Sequence, residues 1–153
     1  MMMSLDCTFA KNILKRIRNV VSVVVSVVVG ILIYHIGEKL NWVIHPYTEG
    51  IDMSDREEVK SHLNTQPLSL WVTILVVWSL GSLLAGYLIK YICKTNNVSL
   101  PLITGCILTI VGTKNLFMLP HPVWFTTASF FAFIPFVLLG FSMLKAKSRK
   151  RRG

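Results

Sequence analysis

The stretch Val20 to Ile36, VVSVVVSVVVGILIYHI, decides the fold class. Its valines would suit a β-strand, but no period-2 alternation runs through it, and it far exceeds the usual strand of about 5–6 residues. Ile13, Leu14 and Ile17 extend it on one side, and Leu40, Val43 and Ile44 on the other. In lipid a lone strand would leave its backbone N–H and C=O groups unpaired, whereas a helix pairs them internally. The reading is therefore a transmembrane helix over about 14–44.

Working outward, three more apolar runs follow. The second, about 68–92, carries no charge from Leu68 to Ile89. The third, about 99–119, has Pro101 in its first turn, where the missing N–H has no helical partner to lose. The fourth, about 123–144, contains Pro135, which predicts a bend. Each approaches the roughly 20 residues needed to cross about 30 Å of hydrocarbon. The expected fold is an all-α membrane protein, one domain over residues 1–153 with four transmembrane helices in a single bundle. Composition agrees, with 53% hydrophobic and 15% charged residues, too apolar for an ordinary soluble domain. A cleaved signal peptide would share the basic leader, but this apolar run is too long and no small-x-small cleavage site follows it before Tyr34, His35 and Glu38.

The charges between the spans are sorted by sign. Lys11, Lys15, Arg16 and Arg18 precede the first span, Lys90 and Lys94 lie in the link between the second and third, and Lys145, Lys147, Arg149, Lys150, Arg151 and Arg152 close the chain. The positive-inside rule then gives an N-in/C-in topology, which an even number of spans also requires. The net charge of +9 thus flanks apolar spans, which points to anionic lipid headgroups as partners rather than nucleic acid. The loop over about 45–67 is acidic (Glu49, Asp52, Asp55, Glu57, Glu58) and is read as external. Within it, Ser54-Asp55-Arg56-Glu57 reads as a capping box opening a short amphipathic helix with Val59 and Leu63 on one face. Trp42, Tyr47, Trp71 and Trp124 fall at outer ends and Tyr87 and Tyr91 at an inner end, where amphipathic rings settle at headgroup level, while Trp78 lies deeper and is expected between helices.

Motifs for soluble-type catalysis are absent: no CxxC, Gly-rich phosphate loop, HExxH or GxSxG occurs. Cys7 and Cys93 fall on the cytoplasmic side and Cys106 inside the third span, so no disulfide framework is expected. No cofactor is implied. The candidate chemistry is a polar cluster near the outer leaflet, Glu38, Lys114, Asn115 and His121, with His35 and His45 as weaker members. An ionisable residue inside a span is expensive and suggests function by default. The plainer alternative is that Glu38 and Lys114 pair, or that Lys114 snorkels outward along its stem. An ion path through Glu38 and a metal site from His35, Glu38, His45 and His121 are further alternatives. His35 and Glu38 share a helix face at i, i+3, but nothing in the spacing orders the remaining ligands as a tetrahedron. Gly81 with Ala85, and Ser82 with Gly86, are small-xxx-small pairs that let helices approach closely, within one bundle or in a homo-oligomer.

From Gly37 onward the chain resembles a family of small bacterial four-span inner-membrane proteins. The resemblance rests on Glu38-x7-Pro46, Gly50-Ile51-Asp52, Pro67-Leu68, Trp78-x-Leu80-Gly81, Gly86, and above all Asn115-x4-Pro120-His121-Pro122-x-Trp124-Phe125. That family has no assigned activity, so the resemblance implies topology and a bacterial inner-membrane location, not a mechanism. Lys114 and His45 stand where the family pattern has apolar or tyrosine residues. The expected role is structural or accessory. A small proton- or ion-coupled transporter using Glu38 is the alternative, and an outer-surface membrane enzyme using His121 or His45 with Glu38 is the third.

Overall fold

The first helix, α1, runs from Met2 to Ile44 and carries two opposite faces. Val20, Val24, Val28, Leu32, Ile36 and Leu40 recur every fourth residue and are exposed. Ser22, Ser26, Gly30, Tyr34, Gly37 and Asn41 recur at three- and four-residue steps and are buried. The polarity is thus inverted relative to a helix of a water-soluble protein, whose apolar stripe faces inward. The exposed valines and leucines make a face suited to lipid, and the buried small residues let neighbouring helices approach closely.

The computed structural model describes residues 2–45, 54–118 and 121–144, with the side chains of 2–8, 56, 115 and 118 left aside. After α1 come α2 (Arg56–Thr65), α3 (Leu68–Cys93), α4 (Ser99–Met118), α5 (Val123–Phe131) and α6 (Ile134–Met143), with no strand among the described residues. The protein is therefore all-helical. Three stretches are long and apolar enough to cross a membrane: Phe9–Ile44, Leu68–Cys93 and Val123–Met143. Within the described residues the apolar part of the expected third span covers Ser99–Lys114, and the helix itself runs on to Met118. Glu49, Asp52, Tyr47, Pro120 and the basic tail 145–153 lie outside the described residues, as does the side chain of Asn115.

Helix α3 is central, packing against α1 on one side and α6 on the other. Its contact with α6 is a backbone crossing. A Cβ added to Gly86 would land on the Val137 carbonyl oxygen, and one added to Gly140 on the Leu83 carbonyl oxygen. On the α1 side a Cβ at Gly81 would lie 2.5 Å from the Tyr34 ring. Gly81, Ser82, Ala85 and Gly86 are all buried within the single chain.

Four local expectations need correction. Pro135 does more than bend the last span, which divides into α5 and α6. A proline in the first turn of α6 has no N–H to return to the preceding turn, and Phe133 leaves helical geometry at φ −102° and ψ −82°. The break turns Phe133 into the core, fully buried against Tyr34 and Trp78 at ring distances of 5.9 and 5.4 Å. The cap of α2 is Asp55, whose side chain accepts from the N–H groups of Glu57 and Glu58, one residue beyond the expected Ser54. A carboxylate there also complements the helix dipole. Val59 and Leu63 do share the inward face, 3% and 4% exposed.

Lys90 belongs to the last turn of α3, not to the link beyond it, and is only 7% exposed. Its ammonium donates to Asn96 Oδ1 at 2.7 Å and lies 4.3 Å from the centre of the Phe141 ring. Lys94 ends α3 in the left-handed region at φ 48°. Trp71, expected at headgroup level, is instead buried, because its ring packs on Phe125 at 5.0 Å and edge-on to His121 at 5.5 Å. Trp42 and Trp124 remain about half exposed at the same end, and Trp78 is buried between helices as expected.

A carboxylate and indole cluster at one end of the bundle

Glu38 lies one turn after Tyr34 on the buried face of α1, near where that face opens at the helix end. Its Oε1 accepts a hydrogen bond of 3.3 Å from Trp78 Nε1 on α3. Its Oε2 is 3.9 Å from His35 Nδ1, across one helical turn. The Glu38 side chain is 24% exposed and that of His35 69%, so the carboxylate is partly withdrawn from solvent while the imidazole is not. An indole N–H is a donor only, which suits it to hold an ionised carboxylate.

Three clefts meet at this carboxylate. One, of about 100 Å³, is walled by Glu38, Asn41, Trp71, Trp78 and His121 and covered by Leu63 and Gln66 at the α2 end. A second, of about 260 Å³, runs between Tyr34, Glu38, Trp78 and Lys114. The third is a shallow groove passing Lys39 and Trp42. The expected cluster is therefore gathered in part. Glu38, His45 and His121 border the first cleft, and Glu38, His35 and Lys114 the second.

Lys114 is exposed and lines the second cleft together with Glu38, while His35 makes an ion contact with the carboxylate. His121 stacks nearly parallel on Phe125, ring centres 5.2 Å apart, and this aromatic seat positions it. Asn115 is in α4, but its side chain lies outside the described residues. No group of three His, Cys, Asp or Glu side chains that could hold a metal ion occurs among the described residues.

Asn41 was not singled out from sequence and proves to be part of the site. It is 2% exposed, and its Nδ2 donates to the Leu70 carbonyl at 3.5 Å while its Oδ1 has no partner. The signal was present: Ser22, Ser26, Gly30, Tyr34, Gly37 and Asn41 repeat at helical spacing opposite the valine stripe. The same face carries two more cross-helix bonds. Tyr34 and Ser82 share a hydrogen bond of 2.7 Å, and Cys93 Sγ lies 2.9 Å from Ser22 Oγ.

Compared with known proteins, the chain matches no family model, no curated protein and no solved structure, so the chemistry of this cluster rests on its own geometry.

Proposed function

We propose that the chain is a four-span protein of a bacterial inner membrane, N-in and C-in, in an accessory role that presents an outward-opening cleft for a small ligand. The inverted polarity of α1 supports the membrane setting, and the basic residues that flank the spans support the orientation. Helix α4 serves as the third span despite its polar end, since its 20 residues measure about 30 Å at 1.5 Å per residue. The observation that carries the functional part is the carboxylate of Glu38, which the Trp78 indole holds at the junction of three clefts. Partial burial strengthens an interaction with a bound group, because little water competes for the charge.

The test is vesicle labelling with a membrane-impermeant thiol reagent in a cysteine-free background. Thr65→Cys on α2 is expected to react only from outside and Asn97→Cys, in the α3–α4 link, only from inside. Reaction of both from one side refutes the topology.

Coupled transport is the second reading, favoured by the buried polar face of α1 beneath Glu38: Ser22, Ser26 and Tyr34. Against a continuous path, Leu108 closes over Gly30 between Ser26 and Tyr34. Proton-coupled flux in reconstituted vesicles that Glu38→Gln abolishes would favour transport over an accessory role.

A further inference from the structure

Helices α1 and α4 touch at Gly30, where an added Cβ would lie 3.2 Å from the Leu108 side chain. Beyond that contact they part and leave the second cleft, of about 260 Å³. On α1 its lining runs from Ile31 to His35 and Glu38, and on α4 from Val111 to Lys114. Both helices thus pass from apolar to charged side chains towards the same end. Building on the membrane reading of the chain, we propose that this cleft seats a phospholipid of the surrounding leaflet, with its phosphate on Lys114.

Charge selects the phosphate. Glu38 is already engaged by the Trp78 indole and by His35. Lys114 is exposed and has no ion pair among the described residues. It stands four residues before the end of α4 at Met118, about 6 Å at 1.5 Å per residue. From that depth its stem carries the ammonium to the headgroups, where a lysine holds a phosphate as a point charge.

The surroundings select a lipid over a dissolved anion. Ile110 and Phe117 lie one turn to either side of Lys114 on the same face of α4, and Leu32 lies one turn before His35 on α1; all three are exposed. A dissolved anion would leave these side chains and the Ile31 and Val111 end of the cleft uncovered. A phospholipid covers both, because its acyl carbons lie below its phosphate as the apolar lining lies below Lys114. The volume of about 260 Å³ is roughly nine water volumes at ~30 Å³ each, the scale of a phosphate with its ester carbons. The chains then run outside, along Leu32 and Ile110.

The test uses the full chain without Cys7, Cys93 and Cys106, in vesicles of digalactosyldiacylglycerol, a bilayer lipid that carries no phosphate. A bimane fluorophore is attached at Ile110→Cys, below Lys114, or at Val76→Cys, an exposed position of α3 outside the cleft. Each is eight residues from the matching end of its helix, Met118 or Leu68, so both sit at about 12 Å depth. Phosphatidylcholine brominated on its acyl chains is titrated in as the quencher. Preference for it over the host lipid is expected at Ile110→Cys by about fivefold, the factor given by roughly 1 kcal/mol for a lysine at a lipid surface. No preference is expected at Val76→Cys. Lys114→Gln is expected to bring the two positions level, and Lys114→Arg to keep the preference. Equal quenching at both positions, or a preference that survives Lys114→Gln, overturns the lipid site while the membrane reading stands. Loss of the preference on adding inorganic phosphate overturns the lipid in favour of a dissolved anion. Absence of quenching at both positions in fully brominated host lipid overturns the membrane reading itself.

Discussion

Gly86→Ala is the sharpest test of the packing between α3 and α6. The added methyl meets backbone: it overlaps the Val137 carbonyl oxygen and falls 2.7 Å from the Val137 carbonyl carbon and 2.9 Å from Phe141 N. Ordinary carbon contacts lie at about 3.5–4.0 Å, and a gap of 0.5–1 Å already forfeits a quarter to a half of each dispersion well. No rotamer change relieves a clash with backbone, so α6 must move outward by about 1 Å. Overpacking of this kind costs about 1–3 kcal/mol, and a backbone clash belongs near the upper end. For a chain of this size that is a fall in Tm of roughly 4–12 °C.

Gly140 faces Leu83 at the same crossing, so the shift that admits one methyl makes room for the other. Gly86→Ala with Gly140→Ala is therefore expected to cost clearly less than the sum of the singles, the signature of coupled neighbours. The assay is reversible unfolding in mixed micelles followed by tryptophan fluorescence and circular dichroism at two protein concentrations. Leu80→Ala, 57% exposed on α3, is the control and is expected to change stability little. A loss at Gly86 of about 0.5 kcal/mol or less, the range typical of surface sites, refutes the crossing. A loss that depends on protein concentration moves the contact to an interface between chains.

Three other outcomes follow from single contacts. Tyr34→Phe leaves Ser82 without its 2.7 Å partner in a fully buried position and is expected to cost about 1–3 kcal/mol. Adding Ser82→Ala should recover part of that loss in the same unfolding assay. Asn96→Ala strips the nearly buried Lys90 ammonium of its hydrogen bond and is expected to destabilise by about 1–3 kcal/mol. Lys90→Met, which keeps the stem packing over Phe141, costs less, and the reverse order would refute the account of Lys90. Asp55→Ala removes the cap of α2 at about 1 kcal/mol, read as faster amide exchange confined to α2. Unchanged exchange there would show that Val59 and Leu63 alone hold it.

All-helical character and the main helical stretches are legible in the residues themselves. Uncharged runs such as Leu68 to Ile89 admit one solution in lipid, because only a helix satisfies its own backbone. Val59 and Leu63 on one face of a short helix are equally local, set by a four-residue step. The candidate site was half legible. Glu38 and His121 stand out by residue type, whereas Asn41 and Lys90 do not, since their part in the structure depends on which neighbours bury them.

Sequence alone thus determined the helical class and the apolar stretches. These depend on composition and on periods of three and four residues within one segment. Tertiary structure decided what each face meets. It brought Trp78 from α3 to Glu38 on α1, 40 residues apart, and turned Trp71 inward against His121 and Phe125. It also divided the last span so that Phe133 fills the core. Such contacts depend on helix rotation, crossing and depth, and those follow from how the helices pack together: Gly86 and Gly140 admit a backbone approach whose partner no local period names.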